Sequence, residues 1–283
     1  MDTSVRFIEI EDAVNGYVDL VRHVLSNGTA VAPRGLATLE IEDAVVYIDN
    51  VFATLPVGVG RDVVAGIAAV ESCQLLAGLS TPDLVIAVGP QFEKYAEDDG
   101  NFYGSYGTRT SGQYDAVVEK LKNDRDSRQA VVTIWDPTRD NKPHKRDYPC
   151  TVMHQFKIRD NKLNMSVYMR SNDVWLGSAY DFFQFTRVQI AMASVLGIEP
   201  GMYSHHVGSL HIYETNFSAA ENLKYTAIRR EMPTIVGNSW DSITSSASRI
   251  LTAVESPLAY DSLDENEKWY ADAMIQAIHK NKY

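Results

Sequence analysis

The order of periodic segments constrains this chain most, because helical and strand patterns follow one another without the regular βαβ alternation of a doubly wound sheet. Val14, Tyr17, Val18, Val21, Val24 and Leu25 recur at helical spacing within residues 12–26, and Asn27-Gly28 ends that helix. Residues 39–48 carry strand-like β-branched character. Residues 61–77 read as a largely apolar helix closed by Gly78, and residues 111–123 as a short amphipathic one. Residues 130–135 predict a strand. Residues 151–158 and 163–169 predict a hairpin joined by Arg159-Asp160-Asn161-Lys162. An apolar helix over 180–196 ends at Gly197, a strand covers 207–213, and a last helix covers 264–279. This mixture favours an α+β fold. The ten prolines are scattered and no low-complexity tract, repeat or linker interrupts the 283 residues, so one domain over 1–283 is expected.

Hydrophobic residues make up 45% and charged residues 22%, which excludes a disordered or fibrous chain. The net charge of −11 leaves no basic surplus for a nucleic-acid backbone, but a small anionic ligand needs only a few local arginines. No apolar run approaches the about 18 residues of a membrane span. The N-terminal MDTSVRFIEIEDAV carries acids where a secretory leader carries bases, so the cytoplasm is the expected compartment. Two cysteines, Cys73 and Cys150, make no disulfide framework and show no metal-ligand spacing, so no metal is expected.

Several positions carry chemistry beside a plainer reading. Cys150, after Pro149 and at the start of a predicted strand, is either a nucleophile or a small buried hydrophobe. Glu71 interrupts an apolar helix and faces either water or a pocket, where it would suit acid/base work. Arg170 and Ser171 end a strand and can hold a phosphate, with Arg34 and Arg128 as further candidates; surface ion pairing is the alternative for each arginine. Asp181 begins the 180–196 helix, where an acid often serves only as a cap. His211 alternates with apolar strand positions, which suits a structural histidine as well as a catalytic one.

Taken in order, Asp126-Ser127-Arg128, Pro149-Cys150, Gln155-Phe156, the run from Arg170 to Gly177 and Gly208-Ser209-Leu210-His211-Ile212-Tyr213 resemble thymidylate synthase and its pyrimidine-modifying relatives. The resemblance runs from about Arg34 to Tyr213, and its closest branch is the dCMP hydroxymethylases. It implies a single-domain mixed β-sheet with flanking helices, and a homodimer in which each site borrows Arg128 from the other subunit. It further implies a pyrimidine nucleoside monophosphate substrate and 5,10-methylenetetrahydrofolate as one-carbon donor. Cys150 matches the nucleophile, Glu71 the glutamate that organises water and proton transfer, and Tyr103 a tyrosine of that network. Arg34, Arg170 and Ser171 match the phosphate cradle, and His211 and Tyr213 the sugar-binding pair. Asp173, Phe92, Tyr95 and Gly177 match folate-side positions. Residues 225–283 match poorly.

The chemistry explains the residue types. Thiolate addition at position 6 turns a pyrimidine into an enamine equivalent whose position 5 can attack an electrophilic methylene. Nearby phosphate-binding arginines would lower the thiol pKa. The family's departures here choose the substrate. Asp181 stands where thymidylate synthases carry asparagine. An ionised aspartate accepts from the N4 amino group of cytosine and from a protonated N3, so a cytosine nucleotide is expected. The resemblance to the aspartate-bearing dCMP hydroxymethylases implies hydroxymethylation with tetrahydrofolate as by-product, and Ser171 beside Arg170 resembles the deoxyribonucleotide enzymes, so dCMP is the expected substrate. Thr151 replaces the usual histidine after the cysteine, Gln129 a second arginine, Phe92 and Tyr95 two tryptophans, and Ser209 an aspartate. Methylation of dCMP, CMP as substrate, ordinary thymidylate synthesis and a catalytically inactive binding protein are the alternatives. Such hydroxymethylation serves phage DNA modification or nucleoside-antibiotic synthesis in relatives, and a phage protein would work in its host's cytoplasm.

Overall fold

A computed structural model describes residues 3–143 and 145–282. The first two residues of the N-terminal stretch considered above lie outside the described residues. The main elements in chain order are β1 (Phe7–Ile10), α1 (Asn15–Asn27), β2 (Thr29–Val31), β3 (Thr38–Ile48), α2 (Ala65–Ala77), α3 (Gln113–Asn123), β4 (Val131–Thr133), β5 (Thr151–Arg159), β6 (Lys162–Met169), β7 (Asn172–Asp173), α4 (Ser178–Leu196), β8 (Glu199–Tyr213), α5 (Trp240–Ala253) and α6 (Glu265–Lys282). All the strands join one sheet in the order β1-β3-β8-β6-β5-β4, with β2 on β3 and β7 on β8. It is mixed: β8 runs antiparallel to β3 but parallel to β6 and β7. The mixed α+β architecture expected from the sequence is therefore present.

The hairpin forms at the expected turn. Asp160 and Asn161 both take left-handed backbone, φ 50° and 56°, which short polar side chains tolerate best. This pairs Arg159 with Lys162 and brings Thr151 opposite Met169 at the other end. Gly78 and Gly197 close α2 and α4 with φ 67° and 66°, a conformation that costs glycine nothing.

Helix α4 is buried on every side except at Ser194 and Leu196. It lies between β6 and β8 on one side and α2 on the other, with α5 and α6 packed behind α2. Polar groups on such a helix must find partners inside the protein. Gln189 Nε2 donates to the Leu163 carbonyl at 2.8 Å, tying the helix to the sheet. Arg187, among the largest fully buried side chains, donates to the Val51 carbonyl at 2.7 Å and to the Met232 carbonyl at 3.0 Å.

Three elements differ from the sequence expectation. The strand expected over 207–213 is the second half of the fifteen-residue β8. Pro200, Gly201 and the His205-His206 pair blur its first half, but β3 and β6 hold it from both sides. Helix α5 falls where no element is expected from the sequence; a Ser239–Ser242 capping box starts it and Ile243, Ala247 and Ile250 bury its inner face. Helix α2 starts at Ala65, later than residue 61.

Replacing Arg187 with leucine should cost about 3 kcal/mol or more, because several buried carbonyls lose their donor. Urea unfolding at an unchanged slope checks this, and a cost under about 1 kcal/mol would contradict it.

Candidate active site

The hairpin register builds the surroundings of Cys150. Cys150 directly precedes β5, and its carbonyl accepts from the Arg170 amide at 2.9 Å. The Arg170 side chain folds back over the same segment. Its Nε donates to the Pro149 carbonyl at 3.1 Å, and its Nη2 lies 3.7 Å from Cys150 Sγ. Trp135 packs under the guanidinium at 5.7 Å. Burial raises the thiol pKa; Arg170 opposes this, while Asp181, Asp147 and Asp173 push it up further. The expectation that arginines depress the thiol therefore needs correcting. Arg170 pulls in that direction, but desolvation and the carboxylates outweigh it.

Glu71 projects from α2 with Oε2 buried and without a protein partner. Loss of hydration, reinforced by Asp181 and Asp147, pushes its carboxyl up to about 8. Asp181 lies in the first turn of α4 and is buried, so it is no solvent-facing cap. Its Oδ2 accepts from Asn172 Nδ2 at 2.7 Å and its Oδ1 from Gln184 Nε2 at 3.0 Å. Burial still raises it to about 7, although both amides oppose the shift.

The short β7 carries Asp173 to β8, opposite His211. Asp173 Oδ1 accepts from the amides of Trp175 and Leu176 at 2.8 and 2.9 Å, while its buried Oδ2 has no partner. Burial raises the Asp173 pKa, against those amide bonds, His211 and Arg61. His211 packs edge-on to Tyr213, and Arg34 Nη2 reaches the Tyr213 hydroxyl at 3.5 Å. Arg34 itself has φ 55°, next to Gly35 at φ 79°. Ser209 Oγ donates to the carboxylate of Glu40, which sits opposite His211 on β3. A neighbouring strand thus brings a carboxylate to Ser209. Ser171 follows Arg170, half-buried, in the link from β6 to β7.

The other expected positions make different contacts. Tyr103 packs edge-on to Tyr148, with Arg109, Arg139 and Lys145 near its ring. Tyr106 lies beside the Cys150 segment: its hydroxyl accepts from the Thr151 amide at 3.3 Å, and Cys150 and Asp181 act on it electrostatically. The Tyr-Gly dipeptide occurs twice here, as Tyr103-Gly104 and as Tyr106-Gly107. Arg128 is exposed, and its carbonyl accepts from Gln155, about 17 Å along β5 from Cys150. The chain does not bring Arg128 into its own site. Phe92 packs on the core from the Pro90–Tyr95 turn, and Tyr95 is exposed beneath Lys94 at 4.8 Å. Gly177 has no side chain and serves the helix start: its amide donates to the Asp173 carbonyl at 2.8 Å. Arg61 was not legible in the sequence. It lies over the rings of Trp175, Tyr180 and Tyr17 at 5.2, 5.5 and 5.6 Å and faces Asp173.

Glu71 Oε2, Thr151 Oγ1 and Asp173 Oδ2 are buried polar atoms without partners, the condition expected of groups that meet a ligand or ordered water. The constellation is a thiol with an arginine, two carboxyls whose pKa values lie near neutrality, and a histidine–tyrosine pair.

The thymidylate synthase family model matches residues 15–250, which include all of these residues. The chain belongs to the thymidylate synthase family. The match reaches beyond Arg34 and Tyr213 on both sides and takes in most of α5. Among relatives, a Bacillus phage SP01 protein named "Deoxyuridylate hydroxymethyltransferase" is 32% identical over 220 residues, covering 72% of this chain and 57% of that protein. A Methanothermobacter marburgensis protein named "Putative thymidylate synthase" is 29% identical over 227 residues, covering 76% of this chain and 96% of that protein. A protein of the same name from Methanothermobacter thermautotrophicus is likewise 29% identical, with 97% of its length covered. No helix among the described residues is long and apolar enough to cross a membrane.

The raised carboxyl of Glu71 has a consequence for stability. Between pH 4.5 and about 8 the folded protein keeps a proton that the unfolded chain has released. Stability through this group is thus full below that window and is lost as pH rises through it. Glu71→Gln should therefore melt progressively higher than wild type as pH rises across the window. Parallel melting curves at every pH would refute the raised carboxyl.

Proposed function

We propose that this protein transfers a one-carbon unit to position 5 of dCMP, consuming 5,10-methylenetetrahydrofolate and water and giving 5-hydroxymethyl-dCMP and tetrahydrofolate. The observation that carries the base assignment is Asp181, buried in the site with both oxygens accepting from amide groups. A carboxylate held in this way offers acceptors to the ring edge. Cytosine has an amino donor at position 4 and takes a proton at N3, whereas uracil needs a donor toward O4. The hydroxymethyl outcome is supported by the named activity of the phage relative.

Each residue then has a task. Cys150 adds as thiolate to C6, and the Arg170 guanidinium stabilises the charge that burial alone disfavours. Asp181 balances the proton at N3 while the ring accepts electrons. Glu71, with a carboxyl near 8, can hold and return a proton close to neutral pH and serves proton transfer at C5. Tyr106 takes the place expected of Tyr103 in that network. Arg34, Arg170 and Ser171 cradle the phosphate, with Arg128 and Gln129 contributed across a homodimer interface. His211 and Tyr213 bind the sugar. Bound folate supplies the electrophilic carbon; Asp173 through its unpartnered Oδ2, Phe92, Tyr95, Tyr180 and Arg61 are the residues that would hold it. Thr151 Oγ1, also unpartnered, would hold ordered water near the reacting carbon.

A second reading keeps the chemistry and changes the base to uracil. It is favoured by the phage relative's name and by the Asp181 carboxyl near 7, because a neutral acid presents one donor and one acceptor as asparagine does. Mass analysis of products after incubation with methylenetetrahydrofolate and dCMP, CMP or dUMP separates the readings. A hydroxymethyl gain on dCMP is expected. A methyl gain would replace water with hydride, and turnover of dUMP alone would move the assignment to uracil. Cys150→Ala should abolish turnover and covalent adduct formation. Asp181→Asn should shift preference toward dUMP. Glu71→Gln should still bind nucleotide but lose roughly 100-fold or more in kcat.

A further inference from the structure

Beneath Asp181 runs a chain of buried hydrogen bonds that the reaction above does not employ. Tyr203 is fully buried and its hydroxyl pKa lies well above the ordinary value, so it remains a donor. It lies 2.8 Å from His205 Nδ1. Burial pulls the His205 imidazole down to about 3, which leaves it neutral with one N–H. With Nδ1 accepting from Tyr203, that N–H is on Nε2, 3.2 Å from Asn172 Oδ1. Ser178 Oγ donates to the same Oδ1 at 2.5 Å. Two donors thus converge on the Asn172 carbonyl oxygen and turn its amide nitrogen to Asp181 Oδ2. Gln184 occupies the other carboxylate oxygen. The packing leaves little slack: a Cβ at Gly177 would lie 3.0 Å from Asn172 Nδ2 and 3.1 Å from Asp181 Oδ2.

We propose that Asn172 is a positioning residue for base choice: oriented by Ser178 and His205, it keeps Asp181 a hydrogen-bond acceptor and so favours a pyrimidine with an amino group at position 4 over one with a carbonyl. This rests on the cytosine reading of Asp181. The physical basis is competition between desolvation and amide donation. Burial drives Asp181 toward its neutral acid, and donation from Asn172 favours the carboxylate. Without Asn172 the acid form gains, and the acid can donate to O4 as asparagine does. The sequence marks Asn172 only as a polar residue beside Arg170 and Asp173; its side chain meets Ser178 and Asp181 because β7 turns directly into α4.

The test compares kcat/KM for dCMP and dUMP, and the pH range of dUMP binding by calorimetry, in wild type, Asn172→Ala and Ser178→Ala. Asn172→Ala should lower the dCMP:dUMP ratio tenfold or more and extend dUMP binding to higher pH. Ser178→Ala should move both in the same direction by less, and it decides the matter if Asn172→Ala does not fold. Adding Asn172→Ala to Asp181→Asn should leave the ratio within twofold, because no carboxylate remains to be held. A ratio and pH range unchanged in the variants, or an equal change on the Asp181→Asn background, overturns the proposal while the cytosine reading stands. A wild-type protein that prefers dUMP overturns the cytosine reading first, and the proposal with it.

Discussion

A carboxylate in the first turn of a helix with almost no solvent-facing side is the constraint on which the site depends. Asp181 cannot be hydrated where α4 lies, between the sheet and α2. Desolvation of an unpaired charge costs far more than one hydrogen bond returns, so the fold must bring donors to it. Asn172 and Gln184 do so, one from β7 and one from the next turn of α4. The resulting balance leaves the carboxyl near 7. A group so poised can exchange a proton with a bound ring, which a solvated aspartate near 4 does far less readily at neutral pH.

The remaining functional groups depend on how the sheet is wired. The hairpin register that pairs Thr151 with Met169 is what sets Arg170 beside Cys150. The parallel pairing of β7 with β8 puts Asp173 opposite His211, and the antiparallel pairing of β3 with β8 puts Glu40 there from the other side. Strands that run both ways along β8 thus gather Cys150, Arg170, Asp173, His211 and Glu40 at one end of the sheet. Glu71 then enters from α2, which packs on α4. Loss of hydration, reinforced by the nearby carboxyls of Asp181 and Asp147, is why Glu71 and Cys150 both stand above their ordinary values.

Local signals recovered elements wherever a single residue type enforces the backbone. Gly78 and Gly197 ended their helices, and Asp160-Asn161 made the turn, because left-handed backbone has few alternatives. They failed where neighbours override preference. The start of β8 is a strand despite Pro200 and Gly201, because two strands hold it, and α5 is a helix despite its serines, because its inner face is buried. The same division appears in the site. Cys150, Glu71 and Asp181 were legible as polar groups in apolar or strand-start settings, whereas Arg61 and Asn172 carried no local mark.

By itself the sequence determined the α+β class, the hairpin, the ordered set of family motifs and the aspartate at residue 181. Those are properties of spacing and residue identity. Only the tertiary structure decided that Tyr106 rather than Tyr103 meets the Thr151 amide, that Glu40 meets the Ser209 hydroxyl, and that Asn172 faces Asp181. Each of these depends on which backbone groups and side chains are forced together away from water. The cost of leaving a buried polar atom unpaired, and not any pattern along the chain, selects the partner.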